Sequence, residues 1–211
     1  QVALKNSDQH NSGDFIHTVG SDQAEGTLLL EKGSVLGSRE IAIAATCGHV
    51  HLKVSKMPSI TIVSTGDELV DIKQIPLAHQ IRRSNDVAIV AALCRSHINV
   101  KESVHLPDDL EAVQSQLQRV IQQSDFVIIS GGISMGNKDY VPAVLDTMNL
   151  EKKIHGVAQK PGKPFGFWSS ESTAIFALPG NPLSALVCLH RYVLPALRVA
   201  LGQSQVKPSK V

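Results

Sequence analysis

Charge of one sign is what this sequence lacks most. Lys and Arg number 20 against 19 Asp and Glu, a formal net charge of +1. That balance offers no electrostatic footprint for nucleic acid or an anionic membrane. Cysteine is scarce: Cys47, Cys94 and Cys188 are odd in number and far apart. Such spacing excludes a disulfide frame or a zinc site, and reads as buried free thiols in a reducing, cytoplasmic setting. No apolar run approaches the roughly 20 residues of a membrane helix, and no signal peptide is visible. The nine histidines show neither H-x-x-x-H nor H-E-x-x-H spacing, so they read as surface or core residues. G-x-S-x-G is absent, which argues against a serine hydrolase. G-x-G-x-x-G and the P-loop signature are absent as well.

What is present is a globular composition, 43% hydrophobic and 18% charged over 211 residues. That is enough for one large domain, alone or with a smaller piece. The first segment, to about residue 17, is polar and aperiodic. Residues 24–56 read as a small unit: an apolar run at Leu28–Leu30, a helix from Ser38 to Cys47 ended by Gly48, and a strand at "HLKV". From Pro58 the pattern changes. "SITIVS", "INVKESV", "DFVIIS", "KKIHGVAQ", "PFGFWS" and "TAIFAL" read as strands. Among them lie helices at "SNDVAIVAALCRSH", capped by Ser84 or Asn85, at "PDDLEAVQSQLQRVIQQS", starting at Pro107 and Asp108, and at "DYVPAVLDTM". A last long apolar helix, "PLSALVCLHRYVLPALRVAL", has Pro195 as its kink. Alternating strands and helices predict a three-layer α/β/α domain with a mostly parallel sheet. The domains expected are a segment over 1–57, the α/β domain over 58–202 and a tail over 203–211.

Ligands of such sheets bind beyond the carboxyl ends of the strands, which directs attention to the loops there. "SGGISMGNKD" packs three glycines, two serines and one aspartate into ten residues between a strand and a helix. It reads either as a tight turn or as an anion cradle of backbone amides, with Ser130 and Ser134 adding hydroxyls. "STGDEL" sets Asp67 and Glu68 at the end of the first strand, either as cap and solvated acid or as oxygen ligands for Mg²⁺. Asp108 and Asp139 follow later strands, and each has an ordinary capping role open to it. Four carboxylates at one sheet edge repel unless a cation sits among them. Lys160 and Lys163 flank a stiff "PG" turn, either solvated or binding an oxyanion as point charges. In "LPGNPLSA", Asn181 caps a helix with Pro182 at its first position, and Asn181 and Ser184 also have polar groups to offer a ligand.

Taken together and in order, "STGDEL", "SN", "PDD", "SGGISMGNKDY", "KPGKPFGF" and "LPGNPLSA" resemble the molybdopterin molybdenumtransferase family, of the bacterial MoeA type and related to the E domain of gephyrin. The resemblance is close over residues 58–202 and weaker over 13–56. It implies a molybdopterin-binding fold and a reaction in which adenylylated molybdopterin is cleaved, AMP is released and molybdate is inserted, with Mg²⁺. By position it implies that Asp67, Glu68, Asp108 and Asp139 are catalytic, and that Glu68, Asp108 and Asp139 hold the metal. The ligand-binding residues it implies are Ser130, Gly131, Gly132, Ser134, Gly136, Lys160, Lys163, Pro179, Gly180, Asn181 and Ser184. Asp22 matches an upstream acid.

The resemblance also implies a homodimer and a molybdopterin adenylyltransferase as partner, with no nucleic acid and no membrane. The chain departs from the pattern at "IHTV" (16–19), where the family commonly carries an arginine run. Family members are also longer, with further β-rich regions, so the chain reads as an excised fragment or a shortened relative. The alternatives are a non-catalytic molybdopterin-binding or sensing module, and a molybdopterin adenylyltransferase or competence-damage-type pyrophosphatase. "SGGISMG" and "LPGNPLSA" argue against the last two.

Overall fold

The computed structural model describes residues 12–133 and 140–203. It divides into two compact units, 1–52 and 53–211. Among its described residues the first unit is mostly turns around one helix, α1 (Ser38–Thr46), and Ala44 is its one buried hydrophobic residue. The Glu40 carboxylate turns back to accept from the Gly37 N–H at 3.0 Å, satisfying an orphan donor at the helix start. The expected strand at 51–54 does not form: among the described residues no strand pairs with it.

The second unit holds a six-stranded sheet in the order β4-β1-β5-β8-β7-β6. The strands are β1 (Ile60–Thr65), β4 (Glu102–Leu106), β5 (Phe126–Ser130), β6 (Glu151–His155), β7 (Gly166–Ser169) and β8 (Ala174–Leu178). A short parallel pair, β2 (Leu69–Val70) and β3 (Ile81–Arg82), lies outside this sheet. Strands β4, β1, β5 and β8 run parallel, while β7 and β6 are antiparallel additions. β1 and β5 are buried at every position, which is why they read as unbroken apolar runs. The second strand begins at Glu102, later than "INVKESV" suggests, because Ile98 is buried as a packing residue just past the end of the preceding helix.

Alternation along each strand feeds two cores. Ile60, Ile62, Phe126, Ile128, Phe176 and Leu178 face one side. There they meet α2 (Ser84–Arg95) and the C-terminal helical stretch. Val63, Val127, Ile129, Ile175 and Ala177 face the other side, with α3 (Leu110–Gln123) and α4 (Tyr140–Thr147). The buried Thr61 hydroxyl on that second face is matched by Ser124 Oγ at 2.8 Å. On α3, Val113, Leu117 and Val120 recur at helical spacing and fill its core stripe.

Three local expectations are corrected. Helix α3 is capped by Asp109, which accepts from the Ala112 N–H at 2.8 Å, so Asp108 is released from capping. Cys47 and Cys94 are exposed and only Cys188 is buried. On α2 the inward stripe is Asp86, Ile89 and Leu93, which turns Cys94 outward, and Cys47 is the residue that ends α1. The C-terminal stretch Pro182–Ala200 has 19 residues and a mean hydropathy of 1.3, long and apolar enough to span a membrane. Its apolar side, including Cys188, Leu189, Val193 and Leu197, is nonetheless part of the core. It runs as α5 (Pro182–Cys188), a π-turn (Leu189–Val193) and α6 (Leu194–Ala200). The wider turn sits where Pro195 removes a donor from the ladder.

Asp125 ties the start of β5 to the residue preceding β1. Its carboxylate accepts from the Ser59 N–H at 2.7 Å and the Ser59 hydroxyl at 2.9 Å. These bonds, the backbone one foremost, hold its pKa below the ordinary value. A depressed folded pKa gives stability that is present above the unfolded value, about 4, and is lost as pH falls through the folded one. Urea unfolding as a function of pH should therefore show wild type losing stability below about pH 4 more steeply than Asp125→Asn. In the core, Leu117→Ala should cost about 2–5 kcal/mol in the same measurement at neutral pH.

Candidate functional site

The chain leaves β1 for β4 on one side and leaves β5 for the opposite side, so the switch point of the sheet lies between β1 and β5. A cleft of about 480 Å³ opens there. It is lined by the ends of β1 and β5, the start of α2, Asp108 after β4 and the turn after β8.

Glycine makes the switch point possible. Gly131 has φ +95°, and a Cβ there would stand 2.8 Å from the Thr65 carbonyl oxygen. The backbone of β5's exit therefore presses directly on the end of β1. Gly180, after β8, in turn lies against Gly131. Asn85 fastens these loops: its amide nitrogen donates to Ser130 Oγ and to the Gly180 carbonyl, both at 2.8 Å. The expectation that Ser84 or Asn85 caps α2 is thereby corrected. Arg83 occupies the cap position without a side-chain cap bond, and the Asn85 amide is spent on the loops.

The acids form a clasp across two strand ends. The Asp108 N–H donates to Asp67 Oδ1 at 3.0 Å, and the Asp67 N–H approaches Asp108 Oδ2 at 3.5 Å. Glu68 and Asp108 line the cleft, while Asp67 supports Asp108 from beside it. Among the described residues, no group of three potential metal ligands converges. Three carboxylates line the cleft, Glu68, Asp108 and Asp86, the last lying 3.9 Å from Arg83; with no His or Cys in the lining they are a hard donor set, of the kind Mg²⁺ takes together with waters and ligand oxygens. The residues present thus fit Mg²⁺ shared with a ligand rather than caged by the protein.

The remaining expected residues divide. Ser130, Gly131, Gly132, Pro179, Gly180 and Asn181 line the cleft. Ser134, Gly136 and Asp139 lie outside the described residues. The Asn181 carbonyl oxygen accepts from the Ser184 N–H at 3.1 Å and caps α5, and Ser184 itself is not part of the lining. Lys160 and Lys163 are exposed and flank the cleft's edge at Pro164 rather than its wall. Their turn is anchored from behind. Gln159 accepts from the Tyr192 hydroxyl at 2.6 Å and donates to the Pro161 carbonyl at 3.0 Å, while the Cys188 thiol reaches the Gly162 carbonyl at 3.6 Å. Burial pushes that thiol's pKa up. Asp22 belongs to the first unit, where it is exposed.

Sequence reasoning passed over Thr65 and Arg83, both of which line the cleft. Arg83 Nη2 bonds Asp71 at 3.1 Å, and Nη1 lies 3.9 Å from Asp86. The Lys73 N–H and then Arg83 hold the Asp71 carboxyl below its ordinary range. A signal was available in "RRSN", two cations before a helix whose own first residues do not cap it.

The arrangement defines a class: an α/β ligand-binding protein whose cleft joins acids and a glycine turn at the switch point. Residues 61–199 match the family described as a probable molybdopterin binding domain. The chain is 43% identical to the molybdopterin molybdenumtransferase of Synechocystis over 92% of its own length and 50% of that protein's. It is 35% identical to gephyrin of Dictyostelium discoideum over 88% of its length and 30% of gephyrin's. A solved molybdopterin biosynthesis protein of Pyrococcus horikoshii superposes with a TM-score of 0.76 at 30% identity, covering 87% of this chain and 46% of that one. The chain belongs to the molybdopterin-binding domain family. It spans about half the length, or less, of these relatives.

Two substitutions probe the switch point. Asn85→Ala should lower stability by about 1–3 kcal/mol, because Ser130 and the Gly180 carbonyl lose a shared donor. Gly131→Ala should cost about 1–3 kcal/mol, since the left-handed backbone and the Thr65 carbonyl both oppose a Cβ. Chemical denaturation checks both.

Proposed function

We propose that this chain acts in molybdenum cofactor biosynthesis, binding adenylylated molybdopterin in the cleft between β1 and β5 and supporting molybdate insertion with release of AMP. The observation that carries this reading is the convergence of Glu68, Asp108 and the Ser130–Gly132 turn on one cleft at the switch point. Membership of the family supports the pterin as ligand. Glu68 and Asp108 would hold Mg²⁺, which would neutralise charge on the phosphoryl oxygens of the ligand. Asp67 orients Asp108 through its backbone N–H. The Gly131–Gly132 turn lets a ligand approach the main chain. Lys160 and Lys163, on a turn held rigid by Gln159, present cations for an oxyanion such as molybdate. Asp139, Ser134 and Gly136 belong to the same proposal by motif. A homodimer, a molybdopterin adenylyltransferase as supplier of substrate, and a cytoplasmic setting complete it.

The test is molybdate-dependent formation of cofactor from adenylylated molybdopterin with Mg²⁺ present. Glu68→Gln and Asp108→Asn should each reduce turnover by about 100-fold or more while pterin affinity changes little, because charge stabilisation at phosphoryl oxygens dominates such chemistry. No turnover by the native protein contradicts the enzymatic reading. The alternative is a binding module without catalysis. It predicts pterin binding with no AMP release.

A further inference from the structure

The lysine turn hangs between β6 and β7, and main-chain bonds close its base. The Gly156 N–H donates to the Phe165 carbonyl at 2.7 Å, and the Val157 N–H to the Lys163 carbonyl at 2.9 Å. Inside that base, both carbonyls between Lys160 and Lys163 are engaged. Gln159 Nε2 donates to that of Pro161, and the Cys188 thiol to that of Gly162. Gly162 has φ +103°, and a Cβ there would meet Gln159 Nε2 at 2.5 Å and Cys188 Sγ at 2.7 Å. The turn is thus pressed onto these two side chains.

The direction of the bonds is forced. A carbonyl oxygen only accepts, so the end of the Gln159 amide that faces Pro161 is its nitrogen. Gln159 Oε1 is left for Tyr192, whose hydroxyl donates to it at 2.6 Å. Tyr192 also stacks on Phe165, with ring centroids 4.4 Å apart. It therefore grips the loop twice, through Gln159 before the lysines and Phe165 after them. Tyr192 belongs to the π-turn Leu189–Val193, and such turns recur at functional sites.

We propose that Tyr192 is a positioning residue: through Gln159 it holds Lys160 and Lys163 at the spacing that receives molybdate. The role of the two lysines rests on the function proposed above. Both lysines are exposed, so binding an anion must order two long side chains, and a backbone fixed beforehand lowers that cost. Tyr192→Phe keeps the ring against Phe165 and removes only the hydroxyl. Gln159→Met keeps the length of the side chain and removes both of its bonds.

Calorimetric titration with molybdate tests this, alongside steady-state turnover with adenylylated molybdopterin and Mg²⁺ and the ligand-free melting temperature. Wild type should bind molybdate, and Tyr192→Phe should weaken that binding by about fivefold or more. In turnover, the KM for molybdate should rise by a similar factor, with kcat and the KM for adenylylated molybdopterin within about twofold of wild type. The two residues act in series, so the double variant should bind molybdate no more weakly than Gln159→Met alone. No molybdate binding by wild type overturns the proposal, as does affinity within about twofold in Tyr192→Phe. A lower melting temperature with unchanged molybdate affinity overturns it by showing the bond to be structural only. Losses that multiply in the double variant, or that fall equally on the pterin, overturn it as well. If wild type turns over and Tyr192→Phe matches it in every constant, positioning fails and the proposed function stands. If wild type binds molybdate through Tyr192 but releases no AMP, the enzymatic reading fails and positioning stands.

Discussion

The exit of β5 touches the exit of β1 with no side chain between them. Gly131 sits with its α-carbon where any Cβ would meet the Thr65 carbonyl oxygen. This close approach sets where the cleft lies, because it brings two diverging chain exits together at the reversal of strand order. Asn85 then binds the β8 turn to the same point through the Gly180 carbonyl. With three loops fixed to one another, the acids of the β1 and β4 exits have a rigid wall to face. The clasp between Asp67 and Asp108 orients one of those acids, and Asp109 rather than Asp108 caps α3. A site built on strand ends and held by backbone contacts is more precise than one on free loops.

The two cores make that wall stiff. Strict alternation along β1, β5 and β8 sends neighbouring residues to opposite faces, and each face is covered by helices. Fully buried parallel strands leave little freedom at their carboxyl ends, where the functional side chains are mounted. The π-turn at Leu189–Val193 has a related consequence. It places Tyr192 against Gln159, and so steadies the lysine turn at the cleft's edge. A helix irregularity caused by proline thus serves the position of two cations.

Most of the sheet was legible because β1, β5 and β8 are short apolar runs between polar or glycine turns. Helix α3 was legible from its start signal at Pro107 and Asp108, and the fold fills its core stripe with Val113, Leu117 and Val120. The sequence order of acid, glycine, lysine and P-G-N-P loops pointed to a cleft, and residues of all four line it, the lysine loop only through Pro164. What was not legible depended on tertiary partners. Asn85 looks like a cap, but its amide finds Ser130 and Gly180, residues 45 and 95 positions away. Asp108 and Asp109 are adjacent and alike, and only the helix geometry decides that Asp109 does the capping. The small parallel pair of β2 and β3 is too short for any periodicity to reveal. "HLKV" has strand composition yet no neighbour to pair with, so composition alone misled. Thr65 and Arg83 stood out only once the fold placed both in the cleft lining, with Thr65 Oγ1 and Arg83 Nε buried and lacking a hydrogen-bond partner among the described residues.

The central claim is that ligand binding happens at the switch point between β1 and β5. Hydrogen exchange of the backbone amides, with and without adenylylated molybdopterin and Mg²⁺, tests it most directly. The account predicts added protection at residues 64–69, 83–86, 130–133 and 179–182, the segments that meet in the cleft. Protection confined to residues 12–52, or none at saturating ligand, would contradict it.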